Sequence, residues 1–310
     1  MTQPVNARRA TSVVVVTRNR QSSLLNTLAR LHDLPERPRI IVVDNGSDDR
    51  SRELVSANYP DVMLIEAGEN LGAAGRNLGV LAATTPYVAF SDDDSWWASG
   101  ALGAAAAVFE RHRRLGLVAA RIVVGPGERE DPLNRSMASS PLAHTDSIPG
   151  RPIIGFVACG AIVRREAFLA AGGFHPRFGV GGEETLLALD LRRFGWALAF
   201  VPDVVAHHHP SPSRDPAGRR RIETRNALWT AWLRLPAPDA LRATAEVIRQ
   251  SRRDRSARRG VTEAVAGLRG VLRERWVVPP AIGREWRLVQ KYERVHDAIP
   301  RGRPEAGSQL

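Results

Sequence analysis

Cysteine and lysine are almost absent from this chain. The one cysteine, Cys159, excludes an internal disulfide and any zinc site built on cysteines. Lysine occurs once, at Lys291, so nearly every basic side chain is arginine, which we read as genome composition rather than selection for bidentate contacts. Long apolar runs are missing too, since nothing approaches the ~18 residues that a bilayer-crossing helix needs. The N-terminal "MTQPVNARRATSVVVVTRNR" holds four consecutive valines, too few for a signal-peptide core. These absences point to a chain made and kept in the cytoplasm. At 310 residues, 43% hydrophobic and 25% charged, it has room for one large domain and an appendage.

Charge is unevenly placed. Residues 211–310 carry 22 Lys+Arg against 11 Asp+Glu, whereas the first 210 residues carry 22 of each. The whole formal excess of +11 therefore sits in the C-terminal third. Such a segment suits anionic lipid, an acidic partner or nucleic acid, although no nucleic-acid motif accompanies it and no such partner is expected.

Apolar periodicity organises the rest. "TSVVVVT", "RIIVVD", "VMLIEA" and "YVAF" read as short strands, the first with the continuous apolar character of a strand buried on both faces. Leu24, Leu25, Leu28 and Leu31 recur at helical spacing, and "NLGAAGRNLGVLAAT" becomes helical toward its end. This alternation predicts βαβ units and an α/β fold with a mostly parallel, Rossmann-like sheet flanked by helices. A helix is expected over "SWWASGALGAAAAVFERHRR", then a strand at "LGLVAARIVV". Residues 125–150, rich in Pro, Gly and Ser, read as a loop, either a lid or a disordered insertion. A strand and helix at "IIGFVACGAIVRREAFLAAGGF", a helix at "GGEETLLALDLRRFG" and a strand at "ALAFVPDVVAHHH" complete the domain. We place residues 1–10 as a disordered N-terminus, 11–235 as the main domain, and 236–310 as a basic helical extension with 301–310 frayed.

In an open α/β sheet, ligands lie beyond the carboxyl ends of the strands. Asp44 ends the second strand and Asp92, Asp93 and Asp94 end the fourth, so a parallel sheet aims both at one crevice. "DNGS" is also a plain turn sequence, and acids are at home in a solvated loop or at a helix N-terminus. An acidic oxygen cluster fits a hard divalent cation that also takes phosphate oxygens. A histidine ligand tilts the choice toward manganese over magnesium. "AHHHP" offers one, and alternation along a strand points His207 and His209 the same way. Glu183 and Glu184 follow a glycine pair at a helix start, placed either to stabilise that terminus or to serve as a general base. Trp96 and Trp97 suit either a sugar-lined acceptor face or the core. Trp229, Trp232 and Leu233 among arginines suit either a helix on an anionic membrane or a packed one.

Taken in order, "SVVVVTRNR", "IIVVDNGSDD", "NLGAAGRNLGV", "YVAFSDDDSWW", "AFLAAGGF", "FGVGGEETLLALDLRRFGW" and "VVAHHHPS" resemble a family 2 glycosyltransferase of GT-A fold over roughly residues 10–235. The resemblance implies inverting transfer from a nucleotide-diphosphate sugar, UDP- or dTDP-linked, to an acceptor hydroxyl, with Mn2+ or Mg2+ as cofactor. It implies a base contact at Asp44 and donor contacts at Arg76 and Asn77, with Thr17, Asn19 and Asp93 beside them. Asp94 becomes the first metal ligand and Asp92 a second, nearer the ribose. Glu184 becomes the base, with Glu183 in reserve because the family usually has Glu-Asp there. His207 becomes the metal histidine, with His209 as fallback. The acceptor is a saccharide, a lipid-linked molecule or a small molecule. The basic helices then serve peripheral contact at the inner face of the membrane or pairing into a homo-oligomer. Rival readings are a nucleotidyltransferase, against which "TRNRQSS" lacks a glycine-rich phosphate loop, and a non-catalytic nucleotide-sugar-binding module.

Overall fold

The computed structural model describes residues 10–145, 147–210 and 215–297. Residues 1–9 and 301–310, read from the sequence as frayed, lie outside them, while Ala10 is buried. The first half is β1 (Thr11–Thr17), α1 (Gln21–His32), β2 (Arg39–Asp44), α2 (Ser51–Asn58), β3 (Met63–Glu66), α3 (Gly75–Ala82), β4 (Tyr87–Asp92), β5 (Ser95–Trp97) and α4 (Ala101–Arg111). It continues with β6 (Leu115–Val124), β7 (Arg129–Glu130), α5 (Pro132–Ala138), β8 (Arg151–Pro152), β9 (Ala161–Arg164), α6 (Arg165–Ala171), α7 (Glu183–Arg193) and β10 (Ala197–His208). Four helices follow: α8 (Pro216–Arg234), α9 (Ala237–Ser251), α10 (Arg255–Arg273) and α11 (Pro280–Asp297).

One sheet runs in the order β3-β2-β1-β4-β9-β6-β10-β5. β3, β2, β1 and β4 are parallel, β9 runs against both β4 and β6, and β6 and β10 are parallel again. The valines of β1 show why this sheet needs cover on both sides. Val13 and Val15 join Leu24, Leu28, Leu31, Leu102 and Phe109 on one face, from α1 and α4. Val14 joins Val80, Phe168, Leu187 and Leu191 on the other, from α3, α6 and α7. Side chains alternate across a strand, so a run of apolar residues buries both faces at once. The expected α/β sheet is the one observed.

Two expectations are corrected. Residues 95–97 are not the start of a helix but a three-residue strand antiparallel to β10, with Trp96 opposite His207, and α4 begins only at Ala101. The 125–150 stretch carries the β7 hairpin arm and α5, and β8 follows directly after it. There Asn134 clamps both the amide and the carbonyl of Ile122, at 2.9 and 2.7 Å, which pins α5 to β6.

The C-terminal helices pack on α7. Leu189 meets Ala231, Leu235, Val278 and Ile282, and Leu186 with Phe178 meets Leu228, Trp229, Leu233, Ala264 and Val271. The apolar side of α8 is therefore covered. Its indoles donate to Ala264 O and Thr244 Oγ1, both at 3.0 Å, so Trp229, Trp232 and Leu233 form packing rather than a membrane face. No helix among the described residues is long and apolar enough to cross a membrane.

A buried ion pair fixes this docking. Arg234, at the end of α8, donates from Nε and Nη2 to Asp190 of α7, at 2.5 and 3.0 Å. Removing one partner strands a charge out of water. Arg234→Ala is expected to destabilise the protein by roughly 3 kcal/mol, the lower end for a stranded buried charge, because Arg193 remains 3.9 Å from Asp190. Urea denaturation measures it, and a loss below about 1 kcal/mol, the range of an exposed pair, contradicts a structural role.

Candidate active site

The parallel strands deliver their acids to one edge. Thr17 of β1 lies level with Asp44 of β2, and Val16 with Asp92 of β4. Asp44 is buried; its Oδ2 accepts from the Ser47 amide at 3.0 Å, while its Oδ1 is buried with no hydrogen-bond partner. An orphaned carboxylate oxygen is an acceptor waiting for a donor.

The three aspartates do different things. Asp92 is held by the Arg76 guanidinium. Asp93 turns inward, accepting from Thr17 Oγ1 at 3.2 Å, and its carbonyl accepts from Thr27 Oγ1 at 2.9 Å. Burial, with the charge of Asp94 next, pushes the Asp93 carboxyl up to about 7 despite Arg20 at 3.9 Å. Asp94 faces His208, Oδ1 to Nε2 at 3.5 Å, with Arg20 at 4.0 Å. Its carbonyl accepts from the His209 amide at 2.8 Å, which ties the aspartate turn to the end of β10.

Here the sequence reading of the histidines needs correction. His207 and His209 do share a side, but it faces Trp96, while His208 faces Asp94. The His207 ring stacks on Trp96 at 5.5 Å and 11°, and His209 lies 4.6 Å from the same indole. Arg30 covers that indole too, at 4.3 Å. Burial, with Arg30 adding to it, holds both histidines below their ordinary value, Glu128 opposing at His207. His208, between them, takes the opposite side of the strand and meets Asp94. The sequence already held this alternation, but which parity faced the aspartates depends on β5, a strand too short to show a period.

Trp97 is 1% exposed and Trp96 6%, both within the core, so neither forms an acceptor face. Asn77 is also reassigned. Its amide donates to Phe174 O at 2.8 Å and its Oδ1 accepts from the Phe174 amide at 2.9 Å, which spends the side chain on a turn. Thr17 serves Asp93, and Asn19, at φ +54°, accepts from the Asp48 amide at 2.6 Å and donates its own amide to Ser47 Oγ at 3.0 Å. Both shape the loops beneath the crevice. Arg20 is a cation that sequence reading missed, although its place just after β1 was a signal for it.

Arg76 holds Asp92 and lies within the field of both glutamates. Burial works against its charge, yet Asp92, Glu183 and Glu184 outweigh it and hold its pKa above the ordinary value. Glu183 is 2% exposed and accepts from the Gly181 amide. Burial first, and the Glu184 charge next, push Glu183 up to about 8, with Arg76 opposing. Glu184 is half-buried, and its Oε1 lies 3.4 Å from the Ala158 amide. Of the two, Glu184 is the one open to solvent.

No group of three or more metal-ligating side chains stands together among the described residues. Asp94 and His208 form a two-donor pair, one hard oxygen and one imidazole nitrogen. Cations that bind phosphate commonly use one or two protein donors and take the rest from the phosphate and water. The pair fits a divalent cation on those terms.

The mixed sheet with helices on both faces is the GT-A fold, and comparison with known proteins gives the family. A profile of "Glycosyl transferase family 2" matches residues 12–170, about half of the chain, and the protein belongs to that family. It is 28% identical over 244 residues to the N-acetylglucosaminyl-diphospho-decaprenol L-rhamnosyltransferase of Mycobacterium tuberculosis, covering 66% of this chain and 78% of that one. It is 33% identical over 227 residues to the pre-mycofactocin glycosyltransferase of the same organism, covering 69% of this chain and 46% of the relative. The fold matches the mannosyltransferase PcManGT of Pyrobaculum calidifontis, solved with GDP-Man and Mn2+, at TM-score 0.56 and 20% identity over 93% of this chain and 88% of that one. It also matches residues 1–349 of Staphylococcus aureus TarS, solved with UDP-GlcNAc, at TM-score 0.54 and 19% identity over 78% and 72% of the two chains.

The Glu183 shift predicts a pH dependence of stability. Its carboxyl moves from 4.5 to about 8 on folding, so between those values the folded chain holds a proton that the unfolded chain has released. The stability this gives is full below the lower value and lost as pH rises through the upper one. Glu183→Gln mimics the protonated form, so its melting advantage over the parent should grow from about pH 5 to about pH 9. An advantage that stays flat across that range contradicts the shift.

Proposed function

We propose that the protein transfers a sugar from a nucleoside-diphosphate donor to an acceptor hydroxyl with inversion at C1, with Glu184 as general base. One observation carries this reading: buried Arg76 holds Asp92 at the end of β4 and feels the charges of two glutamates at the start of α7, of which Glu184 alone is open to solvent.

Inverting transfer needs a base on the face of the sugar opposite the leaving group, with C1 passing through an oxocarbenium-like state as in glycoside hydrolysis. Glu184 takes the acceptor proton while the acceptor oxygen bonds to C1 and the bond from C1 to the diphosphate breaks. Glu183, kept protonated near neutrality, spares Glu184 a second negative neighbour. The diphosphate leaves with growing charge. A Mn2+ or Mg2+ held by Asp94 and His208 supplies Lewis-acid stabilisation there when bound. Arg20, 4.0 Å from Asp94, adds a further cation on that side.

The unmet Oδ1 of Asp44 supports a uridine or thymidine donor, because one carboxylate oxygen matches the single ring N–H of uracil or thymine. GDP-Man and UDP-GlcNAc in the solved neighbours, and the lipid-diphosphate saccharide named for the mycobacterial relative, support a nucleotide-sugar donor and a glycoconjugate acceptor of the cell envelope. A panel of UDP-, dTDP- and GDP-sugars, scored by release of nucleoside diphosphate, identifies the donor. On that donor, Glu184→Gln should keep binding within a few-fold and lose turnover by at least about 100-fold, as loss of a general base does. An active Glu184→Gln beside an inactive Glu183→Gln overturns the assignment.

A further inference from the structure

The turn that carries the two glutamates has one tie of its own, from the Gly181 amide to the Glu183 carboxyl, which leaves Gly179 and the Gly181 carbonyl to be held from outside. Gly179, Gly181 and Gly182 sit at φ +70°, +121° and +86°, a left-handed path that glycine enters freely and leaves as freely. The geometry of Glu184 must therefore be imposed by neighbours, and two elements impose it. On one side the Ala73 amide donates to Gly179 O at 3.0 Å, from the segment leading into α3 and Arg76. A Cβ on Gly72 would stand 2.7 Å from Gly179 Cα, so the two backbones meet closely there.

On the other side stands α8. Asn226 is fully buried, and its Nδ2 donates to Phe178 O at 2.9 Å and to Gly181 O at 2.6 Å, bracketing the turn. Its Oδ1 accepts from Arg225 Nε at 3.1 Å, and Arg225 Nη2 also donates to Phe178 O, at 2.8 Å. Two carbonyls demand two donors, and a primary amide is the short neutral side chain that offers both from one atom. The carboxamide is not what holds α8 in place, because the Asp190–Arg234 pair and the apolar contacts of Trp229 and Leu233 do that.

We infer that Asn226 is a positioning residue for sugar transfer, fixing the Gly179–Gly182 turn so that Glu184 stays at its working place. The inference rests on the assignment of Glu184 as base. It also gives the "RIETRNALW" stretch of α8 a role in the chemistry that its arginine and tryptophan pattern did not suggest.

Asn226→Ala in the full chain tests it. Turnover of the UDP- and dTDP-sugar panel is expected to fall about 10- to 100-fold, the cost of displacing a reacting group by an ångström or less. Donor KM and the calorimetric Kd for UDP should stay within about twofold, a split that general loosening of the fold would not produce. Hydrogen exchange should quicken at residues 179–184 while peptides of β1 and β4 are unchanged. Full turnover, unchanged exchange, or KM and UDP affinity lost in step with kcat overturns the inference. If Asn226→Ala does not fold, Arg225→Ala removes the neighbouring bonds from a half-buried side chain. A several-fold loss of kcat with UDP binding intact then supports the inference, and unchanged kcat overturns it. Glu184→Gln in the same assay separates the two claims. An active Glu184→Gln sinks the base assignment, whereas an inactive one beside a fully active Asn226→Ala sinks only the positioning role.

Discussion

Arg76 lies buried at the end of β4, where it holds Asp92 and feels the charges of Glu183 and Glu184 at the start of α7. A guanidinium taken out of water this far costs several kcal/mol unless acids surround it. Asp92 and Glu184 supply the opposing charge, while the more buried Glu183 keeps its proton near neutrality, and the arrangement brings together segments more than a hundred residues apart. The helix dipole at the start of α7 favours the same pair of acids. Asp92 is then drawn to the protein's own cation, and Asp94 is left to turn the other way, toward His208 and the open edge of the sheet.

That division explains how the site was legible in part. The strands β1, β2 and β4 were plain in the sequence because burial on both faces writes a continuous apolar run. The acids at their ends followed from a parallel sheet. The histidine parity did not, because a three-residue strand decides it and three residues carry no period. The core placement of Trp96 and Trp97 was one of two readings left open, and the helix expected over them gave way to β5 pairing with β10 for the same reason. Arg76 and Asn77 are neighbours in one motif yet diverge completely, one into the acid cluster and the other onto the Phe174 backbone. Position on a helix surface separates them, and a motif does not record it.

The C-terminal helices carry the strongest surprise relative to composition. Their excess of arginine pointed outward, to lipid or an acidic partner. Some of those arginines instead point inward, Arg234 to Asp190 and Arg225 to the Phe178 carbonyl, while Glu285 of α11 meets Arg192 of α7. The segment that looked like an appendage thus braces α7 and the glycine turn before it. Net charge describes a solvated surface and says little about the few charges that are buried.

The central claim is that Asp94 and His208, rather than His207 or His209, hold a divalent cation for a nucleoside diphosphate at this edge. Crystals grown with UDP and Mn2+, measured at the manganese absorption edge, test it most directly. The account predicts an anomalous peak within coordination distance of both Asp94 and His208 and in contact with the diphosphate. A diphosphate bound with no such peak, or a peak ligated through His207 or His209, contradicts it.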